Sequence, residues 1–184
     1  MLTTVDGFPI EVSVAGPEKG SVVVVLCAAQ RALAAYDGVC ERLHTASLRT
    51  VVIGPDPRLT PKSVVGILDV VDINWGVLVG DRVGGELAWE LAATRLDRFT
   101  GLVAIDRGHP RVADLTGVIR DEHCPPVEMN TTALVSTPAA QAVARASQRF
   151  VYGDYRVVEL LGRRQAKEST AQLAAEIVLR ISTW

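Results

Sequence analysis

The chain has 184 residues, with 19 Lys plus Arg against 21 Asp plus Glu, and its net charge of −2 argues against generic nucleic-acid binding. Hydrophobic residues make up 48% and aromatics only 5%, so a single domain over 1–184 with one aliphatic core is expected. No apolar run approaches the roughly 20 residues of a membrane span, Met1–Gly7 lacks the basic and apolar regions of a signal peptide, and Cys27, Cys40 and Cys124 lie far apart without metal-like spacing, so a cytoplasmic protein with no membrane partner and no metal is expected.

Residues 2–14 alternate and turn at Asp6-Gly7, which predicts a hairpin with 10–14 as its second strand. The β-branched run Ser21–Cys27 predicts a strand buried on both faces of a parallel sheet. A helix is expected over about 31–43, with Leu33, Tyr36, Cys40 and Leu43 on its core face. Arg49–Gly54 reads as the next strand, ended by Pro55-Asp56-Pro57, and Ser63–Val71 as a short helix. Gly76–Val79 is a strand leading through glycines into a helix whose buried stripe is predicted as Val83, Leu87 and Leu91, with Glu86 and Glu90 facing water.

Thr100–Ile105 is another buried strand, and 112–130 is the least regular part of the chain. Asn130–Val135 reads as a strand, followed by Thr137-Pro138 as N-cap and first helical residue of a helix to about Phe150. A last strand at Tyr155–Leu161 precedes a closing helix from Ser169, with a capping box to Gln172 and a stripe of Leu173, Ile177, Val178 and Ile181. Strand–helix alternation after an antiparallel N-terminal hairpin predicts an α/β three-layer sandwich with a mostly parallel sheet.

The segment Gly80-Asp81-Arg82-Val83-Gly84 has the glycine frame of a G-x-S-x-G strand–turn–helix elbow. Through this motif and the order of elements over nearly its whole length, the chain resembles a compact α/β-hydrolase without a cap domain. Between Asp106 and Asn130 there are too few residues for such a cap. The resemblance implies a Ser…Asp/Glu…His triad, and each position can be inspected. The nucleophile position holds Arg82, which stays protonated and cannot attack a carbonyl. The loop after Val135 carries no carboxylate, although Asp106 stands where some relatives place the acid, and no histidine follows His123. The oxyanion loop is replaced by Cys27-Ala28-Ala29-Gln30. The resemblance therefore implies a pseudoenzyme with a degenerate triad, acting by binding a small anionic ligand or a protein partner, and it allows a homo-oligomer.

Two readings of Arg82 stand side by side. In one, its guanidinium and the helix N-terminus form an anion site, aided by loop arginines 31, 58, 107, 111, 163 and 164. In the other, Arg82 pairs with Asp106 and plugs the pocket, since buried arginine is usually paired. The pocket is expected to involve Cys27, Ala28, Asp81, Arg82, Val83, Asp106 and His109. An alternative function is a weak or atypical hydrolase using Cys27, or a water held by Asp106 and His109. Asp81 sits in the second rather than the middle position of the elbow, which argues against its being the nucleophile. The Gly80–Gly85 cluster lacks G-x-G-x-x-G, so neither a dinucleotide nor another cofactor is expected. His44, His109 and His123 read as surface residues, and Trp75 and Trp184 as partly exposed anchors.

Overall fold

The computed structural model describes residues 1–160 and 166–182. Arg163, Arg164 and Trp184, and the Leu161 end of the expected last strand, lie outside them. The elements are β1 (Leu2–Thr3), β2 (Pro9–Ile10), β3 (Val12–Ala15), β4 (Val22–Leu26), α1 (Asp37–Thr45), β5 (Arg49–Ile53), α2 (Pro61–Val70), β6 (Gly76–Asp81), α3 (Val83–Thr94), β7 (Phe99–Ile105), β8 (Asn130–Val135), α4 (Pro138–Ser147), β9 (Tyr155–Glu159) and α5 (Ala166–Ser182).

The main sheet has seven strands in the order β3-β5-β4-β6-β7-β8-β9. Only β3 is antiparallel to its neighbour; the other pairings are parallel. Helices α2 and α3 pack on one face, around Leu78, Ala88, Trp89 and Leu102, while α1 and α5 cover the other around Val25, Leu43, Val79 and Ile177. This is the expected three-layer α/β architecture. The run Val23–Leu26 is buried because both faces of its strand are covered, as its continuous β-branched character predicts.

Four local expectations are corrected. The strand expected at 10–14 divides at Glu11: β2 pairs with β1, and β3 crosses to β5, held where the Gly54 amide donates to the Glu11 carbonyl at 2.8 Å. The helix expected at 31–43 begins as a 3-10 turn at Leu33–Tyr36 before α1. Helix α5 already runs from Ala166, so Ser169 is interior and Gln172 instead donates from Nε2 to the Glu159 carbonyl at 2.8 Å. The buried face of α3 holds Leu91 as expected, but is otherwise built from small residues and Trp89; Leu87 is half-buried and Val83 is 47% exposed. Gly84, Ala88 and Ala92 let this helix lie close against the sheet, which turns Val83 outward.

Candidate functional site

The parallel register levels the strand ends. Leu26 lies opposite both Ile53 and Gly80, Asp81 opposite Ile105, and Ile105 opposite Leu134. The residues that leave these strands therefore gather along one edge of the sheet. The chain also reverses its winding direction at β4, which has β5 on one side and β6 on the other. Open α/β sheets bind ligands outside the carboxyl ends of the strands at such a reversal.

Among the described residues, three of the five non-glycine residues with positive φ lie on the same edge, the others being Ser47 and Asp72. Gln30, Arg82 and Asp106 have φ of 62°, 52° and 56° without being glycine, a conformation that costs of order 1–3 kcal/mol and marks functional sites more often than others. Arg82 occupies the elbow itself, with ψ −108° and no side-chain cap on α3. Two glycines make the turn possible by close approach. A Cβ on Gly84 would overlap the Leu26 carbonyl oxygen, and one on Gly80 would come within 2.7 Å of the Ala88 Cβ.

Beside the elbow, four residues form a continuous polar relay. The Ala28 amide donates to the Tyr36 phenol oxygen at 2.8 Å, and the phenol donates to Asp81 Oδ2 at 2.8 Å. Arg82 Nη1 donates to Asp81 Oδ1 at 3.2 Å. Asp81 is buried, whereas the Arg82 side chain is 43% exposed. Burial, reinforced by the neighbouring Asp81 charge, pushes the Tyr36 phenol well above its ordinary range, so it stays a proton donor to Asp81.

The Arg82–Asp106 pair anticipated from the sequence is not formed. Asp106 is also buried, but its Oδ1 accepts from the Ser136 amide at 2.7 Å and its Oδ2 accepts from the Ser136 hydroxyl. The register that sets Ile105 against Leu134 brings Ser136 to Asp106, while Asp81 reaches the guanidinium first. Of the loop arginines, Arg58 chelates Asp56, Arg107 binds Glu86 at 3.1 Å, and Arg111 donates to the Glu122 carbonyl.

His109 is a core residue rather than a surface or pocket residue. Its ring stacks on Phe150 at 4.8 Å between centroids and meets Trp89 edge-on at 5.9 Å. Nε2 lies 2.7 Å from the Pro125 carbonyl oxygen, which can only accept, so that nitrogen carries the proton. Nδ1 in turn accepts from the Arg111 amide at 3.2 Å. Both nitrogens are thus engaged, and burial holds the imidazole below its ordinary pKa. His44 bonds Thr50 at 2.9 Å, and His123 is exposed.

A cleft of about 710 Å³ opens over the elbow between the ends of β4 and β5, the first turns of α3, and the segment 110–121. Its apolar wall includes Leu26, Ile53, Leu59 and Leu87, and both Cys27 and Val83 reach it. Ala28, Asp81, Arg82, Asp106 and His109 do not line it. The Cys27 thiol is pushed up to about 12, first by burial and then by the Asp81 charge, with the Tyr36 hydrogen bond opposing. Glu86 and Glu90 both line the cleft; Glu90 is exposed to water, as expected, and Glu86 is half-buried. Sequence reasoning passed over Tyr36 as a simple packing residue. It also passed over Arg120 and Asp121, which sit in an irregular segment with no periodic signal. Among the described residues, no three His, Cys, Asp or Glu side chains converge to hold a metal, and no helix is long and apolar enough to cross a membrane.

The arrangement has close structural counterparts. Est1E from Butyrivibrio proteoclasticus superposes with a TM-score of 0.75 at 12% identity, over 100% of this chain and 99% of its own. The esterase EaEST from Exiguobacterium antarcticum gives 0.74 at 13% identity, covering 96% and 98%. The epoxide hydrolase VrEH1 from Vigna radiata gives 0.71 at 12% identity, covering 95% of each. The chain has the α/β-hydrolase fold. No family model matches the sequence, and no curated protein matches it. In the α/β-hydrolase fold the turn after the central strand carries the nucleophile, and here that turn is Asp81-Arg82-Val83. The 106–129 connection, where a cap domain would be inserted, holds no helix and no named strand. It is tied down to α3 by Arg107 and Arg120 at Glu86 and by the Trp89 indole on the Arg107 carbonyl.

Proposed function

We propose that the protein is a non-catalytic member of the α/β-hydrolase fold, a hydrolase architecture with a degenerate triad, and that it acts by binding a ligand in the cleft over the elbow. The observation that carries this reading is the occupant of the elbow. Arg82 holds the strained nucleophile conformation, yet its side chain is a permanent cation bonded to Asp81. Three further features support it. The Ala28 amide, in the loop that supplies an oxyanion donor in hydrolases, is taken by Tyr36. Asp106 is consumed by Ser136, and both nitrogens of His109 are engaged away from the cleft.

A second reading, a weak hydrolase using Cys27, draws on the position of that thiol in the cleft wall. Its raised pKa counts against it, because the thiolate is the nucleophile. A water held between Asp106 and His109 draws no support from their hydrogen bonds. The test is a panel of p-nitrophenyl acetate, butyrate and octanoate with purified wild type, Arg82→Ala and Cys27→Ala. Equal background rates for the three proteins are expected. Turnover by the wild type that either substitution removes would overturn the non-catalytic reading.

A further inference from the structure

The cleft is lined by four carboxylates, Asp56, Glu86, Glu90 and Asp121, and one guanidinium, Arg120. Two of the carboxylates are already neutralised. Asp56 is chelated by Arg58 at 2.8 Å, and Glu86 meets Arg107 at 3.1 Å and Arg120 at 3.8 Å. Among the described residues no cationic side chain ion-pairs Glu90 or Asp121. Both residues are solvent-exposed; Asp121 accepts from the His123 amide at 2.9 Å, and among the described residues Glu90 makes no such side-chain bond. The cavity they face is otherwise aliphatic, without an aromatic ring in its wall, and its size falls within the roughly 300–1,000 Å³ of small-molecule sites.

We propose that this cleft takes an amphiphilic organic cation, an aliphatic body with a protonated amine head placed between Glu90 and Asp121. The inference rests on the reading that the chain acts by binding, and it gives the ligand the opposite sign from the one Arg82 suggests in sequence. Arg82 does not reach the cleft, and the one guanidinium that does is committed to Glu86 and to the Gly108 carbonyl at 2.9 Å. An anionic head would meet the two carboxylates that no cationic side chain pairs, Glu90 and Asp121. An ammonium would supply the missing counter-charge while Leu26, Ile53, Leu59 and Leu87 cover its chain. The electrostatics agree: desolvation and then the Asp121 charge push the Glu90 carboxyl up from its ordinary value, with Arg120 opposing. A cation between the two carboxylates would relieve that repulsion.

The test is calorimetric titration of the full chain with n-octylamine, n-octanol and n-octanoate near neutral pH. Octylamine should bind about tenfold tighter than octanol or better, and octanoate should bind weakest. Replacing both carboxylates, Glu90→Gln with Asp121→Asn, should bring octylamine down to the affinity of octanol and leave octanol unchanged. Equal or tighter binding of octanoate, an octylamine affinity indifferent to the double substitution, or binding of none of the three overturns the proposal. The first two outcomes leave a binding role standing. Turnover of p-nitrophenyl octanoate with the amine preference intact would remove the non-catalytic reading and keep the amine site.

Discussion

Tyr36 and Asp81, separated by 45 positions in sequence, share a buried hydrogen bond of 2.8 Å. The bond joins the 3-10 turn ahead of α1 to the last residue of β6, and through the Ala28 amide it also holds the end of β4. One phenol therefore fastens three segments at the point where the sheet reverses its winding.

Tyr36→Phe keeps the ring but leaves the Ala28 amide and one Asp81 oxygen without this partner. Buried polar groups stripped of a hydrogen bond cost roughly 1–3 kcal/mol. Urea denaturation should show a loss of that size, and a loss near zero would mean that water replaces the phenol.

The elbow strain is separable from the elbow charge. Arg82→Ala and Arg82→Gly both remove the guanidinium, but only glycine adopts φ 52° without penalty. The glycine variant should be more stable than the alanine variant by about 1–2 kcal/mol. Equal stabilities would show that the turn relaxes once the arginine is gone.

Cys27 should resist alkylation. With its pKa near 12, only about one thiol in ten thousand is ionised at pH 8. Iodoacetamide should leave it unmodified in the folded chain and label it in urea. The same shift has a stability consequence. The unfolded thiol ionises from about pH 8.5 upward while the folded one keeps its proton, so stability falls as pH rises, by at most about 1.4 kcal/mol per pH unit from this group. Cys27→Ala should lose that part of the alkaline slope when unfolding is compared between about pH 8.5 and about pH 10.5.

His109 acts at the other end of the pH scale. Its folded pKa is lowered by burial, so below the unfolded value of about 6.5 the unfolded chain binds the proton first. Stability attributable to His109 is present above that pH and declines as pH falls through it. His109→Gln should be less stable at neutral pH but should show a shallower decline between about pH 6.5 and about pH 4.5, read by denaturant melts at each pH. Parallel declines would place the acid sensitivity in the carboxylates.

The fold was largely legible because its strands are β-branched runs buried on both faces, and because proline and threonine mark the start of α4. Asn130–Val135 reads directly as β8. Residues 31–36 misled because a single core stripe suits a 3-10 turn as well as a helix. On α3, the glycine and alanine positions rather than Val83 decide which side faces the sheet, a matter of close packing that hydrophobicity does not encode. The site was legible only in part. The glycine frame located the elbow, but the partner of Arg82 depended on strand register. Likewise, no spacing rule places Tyr36 against Asp81, or His109 between Trp89 and Phe150. The carboxylates of the cleft were visible as an i, i+4 pair, Glu86 and Glu90, yet only the packing of the 110–121 segment turns that solvent-like face into a wall.

The Arg82 side chain bonds Asp81 and stays out of the cleft, while its neighbours Val83 and Gly84 on α3 line it. This arrangement makes the two halves of the edge independently replaceable. Exchanges at Glu86, Leu87 and Glu90 would alter what the cleft accepts without touching the fastening of the turn. Exchanges at Tyr36 or Asp81 would loosen the turn and would touch the wall only at Cys27, on which both act. The lining of the cleft can therefore drift along one helix face, with no second change needed to keep the scaffold in register.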